Sequence, residues 1–472
     1  MLYSSKRKKA RHPKDDAQHI WNSTNPVNTI FIYSQDSQHL PPFFDVTRSV
    51  KTDHKIGYTF RYCSYCSDGR LSGECFCLRE AFHHKLDITL NFDVDYLPVK
   101  VIEFLITSND KAEALLENSN DALKDWTIID LLRNLTKDLP FLRLNTTMKA
   151  YLFGSRISDL GFLDSDFDIS IDYDSDSDSE NEHERRNLER HDCQLLIKEI
   201  AYFLSLKKET WKVRKIILHS RTPIVKVKYV TGHICDISIA NKLAVENTKI
   251  IQCFNRAFPL CRKMILFLKR WLQYCGLSGS HLITSYALTW CAIFYLQTLK
   301  VFPSITKLIK LRNESRRING WEVGITYNFP IRKINYTFQK LLLGFFRFYA
   351  NFNFENYVVC PLVGEPIEKN TFTDLSNILE SISLTQDMLP YIIYMQNTEE
   401  RPQAFPISSL CVQDPFDLSH NLTKAISNCE LEKFQTYCNC SAKVLKGIRH
   451  MKIHSPTVYS IRDHISSSLR QT

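Results

Sequence analysis

Two short runs in the sequence have the residue types and spacing of phosphoryl-transfer chemistry. Tyr151-Leu152-Phe153-Gly154-Ser155-Arg156 reads as a strand running into a tight turn. There the glycine lets backbone amides and the Ser155 hydroxyl approach a phosphate. Further on, Asp166-Phe167-Asp168-Ile169 sets two carboxylates at i and i+2. On a strand that spacing puts both on one face, with Phe167 and Ile169 turned into a core. Parallel carboxylates repel each other unless a cation lies between them, which implies a divalent ion. Mg²⁺ or Mn²⁺ held by acids and substrate phosphates is the usual solution. A third acid, Asp236, stands alone in the apolar, alternating run His233–Ile239. Two-metal chemistry needs such a residue beside the attacking hydroxyl. An exposed edge strand would account for Asp166 and Asp168 alone, but not for Gly154-Ser155 and Asp236 at their places around them.

The elements that must position these residues follow from periodicity. Apolar residues recur at helical spacing from Leu115 to Leu142, and strand-like runs follow at 150–153, 167–171, 224–229 and 233–239. Helical spacing then dominates from Leu243 to about Leu296, and again from Phe338 to Tyr349. The order predicts an α+β chain with two lobes. A palm of mixed sheet and helices spans 148–258, preceded by helices of the central lobe at 106–147, and a mostly helical central domain spans 259–430. Residues 1–105 form a separate N-terminal region with short strand-like runs such as Ile30–Tyr33, and 431–472 read as a basic tail. The run 172–190 is dense in Asp, Glu and Ser and reads as a solvated insertion between two sheet elements.

The 472 residues carry a net charge of +9 although seven acids lie between Asp172 and Glu184, so the rest is markedly basic and suited to a polyanion such as RNA. Fifteen scattered cysteines without a secretory signal suit a reducing compartment. The longest apolar stretch, Ile283 to Leu296, is too short to span a bilayer, and no membrane association is expected. Lys6-Arg7-Lys8-Lys9-Ala10-Arg11 suits nuclear import or RNA contact, with a solvated chain end in the cytoplasm as the alternative. Cys63, Cys66, Cys75, Cys77, His83 and His84 could hold structural zinc, although the Cys-x-Cys half and the adjacent histidines are not a standard finger spacing.

Together the hydrophobic-Gly-Ser, Asp-x-Asp and third-Asp pattern resembles the DNA-polymerase-β-like nucleotidyltransferases. Within them the chain is similar to the terminal uridylyltransferases and poly(A) polymerases. Asn241-Lys242-Leu243-Ala244-Val245-Glu246-Asn247-Thr248, Leu277-Ser278-Gly279-Ser280 with Thr284-Ser285-Tyr286-Ala287-Leu288, and Gln413–Asn421 carry the likeness from about 110 to 430. It implies a poly(A)-polymerase-associated segment at 339–425. It also implies nucleotide addition to RNA 3′ ends with Asp166, Asp168 and Asp236 as catalytic metal ligands. Asn247 and Thr248 would meet the ribose hydroxyls, and Lys269, Ser155 and Ser285 the triphosphate. Tyr286 would stack on the base, while Asp414 and His420 line its edge; a histidine at the latter position goes with UTP over ATP.

Cys275–Ser280, Gly320-Trp321 and Val412–Asn421 further resemble the branch acting on U-six small nuclear RNA. The chain departs from that branch in lacking an aromatic RNP-like strand before the core, and Gln273 stands where many relatives keep a second phosphate-binding lysine. A poly(A) polymerase using ATP, and a catalytically inactive RNA-binding adaptor, remain the alternatives.

Overall fold

The computed structural model describes residues 29–33, 46–52, 55–61 and 97–454, except 141, 143–147, 174–189, 313, 333–334 and 397–402. The six Cys and His residues proposed for zinc and the basic cluster at 6–11 lie outside the described residues. The chain divides into two compact units, Met1–Glu103 and Phe104–Thr472. In the first, β1 (Thr29–Tyr33), β2 (Val46–Thr52) and β3 (Lys55–Arg61) form an antiparallel sheet in the order β1-β3-β2. The strand expected at Ile30–Tyr33 is β1.

The second unit holds the α+β architecture expected from the sequence. Its palm is a five-stranded mixed sheet of β4 (Met148–Phe153), β5 (Phe167–Tyr173), β6 (Trp211–Ile217), β7 (Ile224–Tyr229) and β8 (Ile234–Ile239). The order is β4-β5-β8-β7-β6, with β5 and β8 parallel and the other pairs antiparallel. Ile169, Ile171, Val225, Val227, Cys235 and Ile237 project from one face into a core closed by Ile197, Ile200 and Leu204. Those three belong to α3 (Arg190–Leu206).

Three boundaries differ from the sequence reading. The helices of 106–147 do not act together. α1 (Ser108–Leu123) joins the helical lobe, where Arg262 donates to Asn120 and Ser119. α2 (Thr127–Asp138) belongs to the palm: Leu131 and Leu135 enter its core, and Trp211 Nε1 donates to Asp138 at 2.8 Å. The insertion expected at 172–190 is shorter, because Asp172 and Tyr173 complete β5 and Arg190 opens a helix. Asp172 is buried and accepts from Ser170 Oγ at 2.7 Å. The expected tail at 431–472 begins inside a core helix, Asn428–His454.

That helix packs on the lobe built by α4 (Lys242–Ala257), α5 (Pro259–Tyr274), α6 (Ser285–Thr298) and the helix Phe338–Ala350. Trp271 Nε1 donates to Ser441 Oγ at 3.0 Å, and its ring lies between Phe346 and Phe434. In α6 every residue from Ala287 to Gln297 is buried, as its continuous apolar sequence predicts. Among the described residues no helix is long and apolar enough to cross a membrane.

Candidate active site

One row of residues crosses the palm sheet. Lys215 pairs with Lys226, Lys226 with Asp236, Asp236 with Asp168, and Asp168 with Phe153. Residues opposite one another on neighbouring strands share a face, so the row sets Asp236 and Asp168 side by side. Asp166, two residues before Asp168, shares their face. The alternation read from the sequence therefore does position the three acids together.

The Lys226 ammonium lies 2.7 Å from Asp166 Oδ2 and 2.9 Å from Asp236 Oδ1. The first contact is a hydrogen bond; the second is close but poorly directed, and Asp236 Oδ1 makes no hydrogen bond. Asp168 turns instead toward Gly154, which has φ +77°, and a Cβ on that glycine would overlap the Asp168 carboxylate. Burial, then the charges of Asp236 and Asp166, raise the Asp168 carboxyl to about 7. Burial also raises Asp236, against the opposing pull of Lys226. Two of the three carboxylates touch the Lys226 ammonium and the third does not, and the set fits a divalent cation by charge and donor chemistry. Among the described residues no three acids, histidines or cysteines converge as a finished metal cage. The splay follows from mutual repulsion, with Lys226 holding two acids and Gly154 leaving room for the third.

A second cluster joins the palm to the helical lobe. Asp414 is buried and accepts at Oδ1 from the amides of Phe416 (3.0 Å) and Asp417 (2.9 Å) and, at 3.4 Å, from Asn247 Nδ2. The Tyr286 hydroxyl donates to Asp414 Oδ2 at 2.9 Å. Burial raises the Asp414 carboxyl to about 6, and burial with the neighbouring acid lifts the Tyr286 phenol well above its usual range. The amide of Asp414 donates to the His420 carbonyl at 3.0 Å, closing the loop that carries both. Burial, then Arg221 and Lys424, push the His420 ring down to about 3, so it stays neutral at physiological pH. Arg221, from the turn between β6 and β7, forms an ion pair with Asp417 in this loop.

The mitochondrial-like poly(A) RNA polymerase central palm domain matches residues 108–256, and the segment of the Cid1 family of poly A polymerases matches residues 338–420. The chain belongs to the poly(A)/poly(U) polymerase-like nucleotidyltransferases. Speckle targeted PIP5K1A-regulated poly(A) polymerase of Danio rerio is 26% identical over 246 residues, covering 49% of this chain and 30% of the relative. The mitochondrial poly(A) RNA polymerase of Drosophila melanogaster is 27% identical over 194 residues, covering 36% of this chain and 31% of the relative. The matches thus span about a third of the length of these curated relatives. In fold, mtPAP in complex with ATPγS superposes with a TM-score of 0.55 at 22% identity, covering 73% of this chain and 69% of that one. A cytoplasmic RNA terminal U-transferase gives 0.51 at 20% identity, covering 70% of this chain and 90% of that one.

Against that nucleotidyltransferase frame, the predicted residues fall into three sets. Gly154, Asp166, Asp168 and Asp236 meet at the palm face, and Asn247, Tyr286, Asp414 and His420 meet at the lobe junction. Adjacent positions on α4 link the two sets. Thr248 Oγ1 accepts from the Gly154 amide at 2.9 Å and donates to the Ala244 carbonyl, so this hydroxyl holds the glycine turn. Asn247 Oδ1, by contrast, is buried without a hydrogen-bond partner. In the third set, Lys269 is buried with its ammonium on the Leu160 carbonyl at 2.6 Å, and burial lowers it to about 8. Ser285 opens α6, whose N-terminal amides favour an anion, and Ser155 begins the helical turn after Gly154. Sequence reasoning missed Lys226 and Arg221. The alternation of β7 placed Lys226 on the acidic face once β7 was paired with β8, but nothing local marked Arg221.

Proposed function

We propose that this nucleotidyltransferase adds nucleotides to RNA 3′ ends, with Asp166, Asp168 and Asp236 as its catalytic acids and UTP as its preferred donor. The reading rests above all on the row that sets Asp236 beside Asp168 on parallel strands, with Asp166 on the same face and Gly154 making room behind. Bound at these acids, Mg²⁺ or Mn²⁺ would polarise the attacking hydroxyl and neutralise the leaving pyrophosphate. The RNA 3′-oxygen forms a bond to the α-phosphorus while the bond from that phosphorus to the β-phosphate bridge breaks. Asp236, opposite Lys226 in the row, would receive the hydroxyl proton.

The donor's ribose would give the orphaned Asn247 Oδ1 its missing hydrogen-bond donor. The ring of Tyr286 would stack on the base, and the neutral His420 would limit its size. Ser155, Ser285 and Lys269 are assigned to the triphosphate, Lys269 by exchanging the Leu160 carbonyl for phosphate oxygens. Thr248 supports the site through Gly154 rather than through a free hydroxyl. A nuclear site of action is favoured by the basic cluster at 6–11 together with the speckle-targeted relatives.

The poly(A) alternative draws support from the names of the curated relatives. Single-nucleotide incorporation on an RNA primer, run with each nucleoside triphosphate in turn, separates the two. UMP incorporation exceeding AMP is expected, and His420→Asn should shift the ratio several-fold toward AMP. A wild-type preference for ATP would overturn the uridylate assignment. Asp236→Ala should abolish incorporation while leaving the melting temperature within a few degrees; incorporation with every nucleotide absent in the wild type as well would favour the inactive adaptor.

A further inference from the structure

The palm row contains a cation as well as acids. Lys226 stands on β7 directly opposite Asp236, and its ammonium lies between Asp166 Oδ2 at 2.7 Å and Asp236 Oδ1 at 2.9 Å. Its side chain retains 30% of its exposure, and the next residue outward in the row, Lys215, is exposed at the sheet edge. A four-carbon stem can therefore carry the charge away from the acids toward solvent without disturbing β7. The ammonium can hold two acids through its N–H donors, but it has no vacant coordination sites that substrate oxygens could share with them as at a metal. It sits between two of the three carboxylates that a divalent ion would share, and Asp236 Oδ1 is left without a well-directed hydrogen bond.

We propose that Lys226 is a built-in counter-ion of the carboxylate triad, holding Asp166 and Asp236 together in the metal-free protein and giving up that place when a divalent cation binds. The proposal rests on the reading of the three acids as metal ligands. Its consequence is competition: the ammonium stabilises the empty palm and weakens binding of the free ion. Removing the ammonium leaves three carboxylates facing one another, which destabilises the metal-free fold and strengthens the attraction for a divalent cation.

The test uses the full chain without RNA or nucleotide. Mn²⁺ binding is followed by loss of the free-ion electron paramagnetic resonance signal for the wild type, Lys226→Met and Lys226→Gln. Thermal unfolding is followed in chelator and at saturating Mn²⁺. Both variants should bind Mn²⁺ roughly tenfold more tightly, melt lower in chelator and gain more on saturation. Equal or weaker Mn²⁺ affinity in the variants, with binding intact in the wild type, would overturn the counter-ion role alone. Absence of Mn²⁺ binding in all three proteins would overturn the metal-ligand reading and this proposal with it. Should both variants fail to fold, the wild type carries the test. Acetylation of Lys226, read by mass spectrometry, should accelerate when Mn²⁺ is added, and an unchanged rate would count against release of the ammonium.

Discussion

At the scale of single residues, the chemistry depends on groups whose charge is set by burial. Asp414 is the clearest case away from the triad. Its carboxyl is raised to about 6 by burial, yet the ionised form accepts from Tyr286, Asn247 and two backbone amides. Above about 6 the carboxylate keeps all of these acceptors. Below it, a proton occupies one oxygen and turns an acceptor into a donor. Because the fold itself raises this carboxyl, protonation does not cost the junction its order; what is lost below about 6 is the carboxylate acceptor, and with it the proposed nucleotide contact. The KM for UTP should rise toward tenfold per unit below pH 6, and Asp414→Asn should remove that dependence while raising KM throughout. A KM that stays flat down to pH 5 in the wild type would contradict this. The acids of the triad were legible in the sequence because strand alternation is local. Lys226 and Arg221 were not: Lys226 meets Asp236 only once β7 is paired with β8, Asp166 lies 60 residues from it, and the partner of Arg221 lies 196 residues away.

At the scale of elements, one of the charged contacts between palm and helical lobe lies beside the Asp414 cluster. The turn between β6 and β7 offers Arg221, and the loop bearing Asp414 and His420 offers Asp417. Asp417 is only 13% exposed and Arg221 is 49% exposed, so the pair is partly screened and worth about 1 kcal/mol. Reversing one charge places like charges together beside the proposed base site. Arg221→Asp should raise the KM for UTP roughly fivefold with little change in kcat. The double reversal, Arg221→Asp with Asp417→Arg, should restore it toward the wild-type value. If the double variant is no better than the product of the two single effects, the pair does not couple the elements. The sequence foretold β4, β5, β7 and β8 because their apolar residues alternate. It did not mark β6, Trp211–Ile217, an edge strand whose lysines and arginine are exposed and whose register with β7 shifts between Val213 and Lys215. The helix Arg190–Leu206 escaped for a related reason: its apolar stripe follows directly on the acidic run.

At the scale of the whole molecule, the nucleotidyltransferase core does not end where its motifs end. The last motif residue is Asn421, and sequence reasoning treated everything after 430 as a basic tail because its lysines and polar residues dilute the apolar period. In the fold, Leu431, Phe434, Cys438 and Leu445 are buried on the helix Asn428–His454, and Trp271 donates to Ser441 from the last turn of α5. Phe434 also contacts Tyr349 and Phe354, so it ties three segments together. Burying each such side chain contributes about 1.5–3 kcal/mol, and several of them together rival the about 5–15 kcal/mol by which a domain is stable at all. Phe434→Ala should therefore cost about 3–5 kcal/mol in urea unfolding, and a chain ending at residue 427 should be insoluble or lack a cooperative transition. Asp236→Ala, which removes one acid of the palm face and no core packing, should leave the same cooperative transition in place. A truncated chain that still unfolds cooperatively and still extends RNA would show the helix to be an accessory. Its failure, beside a well-folded Asp236→Ala, would place the boundary of the catalytic unit beyond the family's motifs, at the helix that closes the lobe.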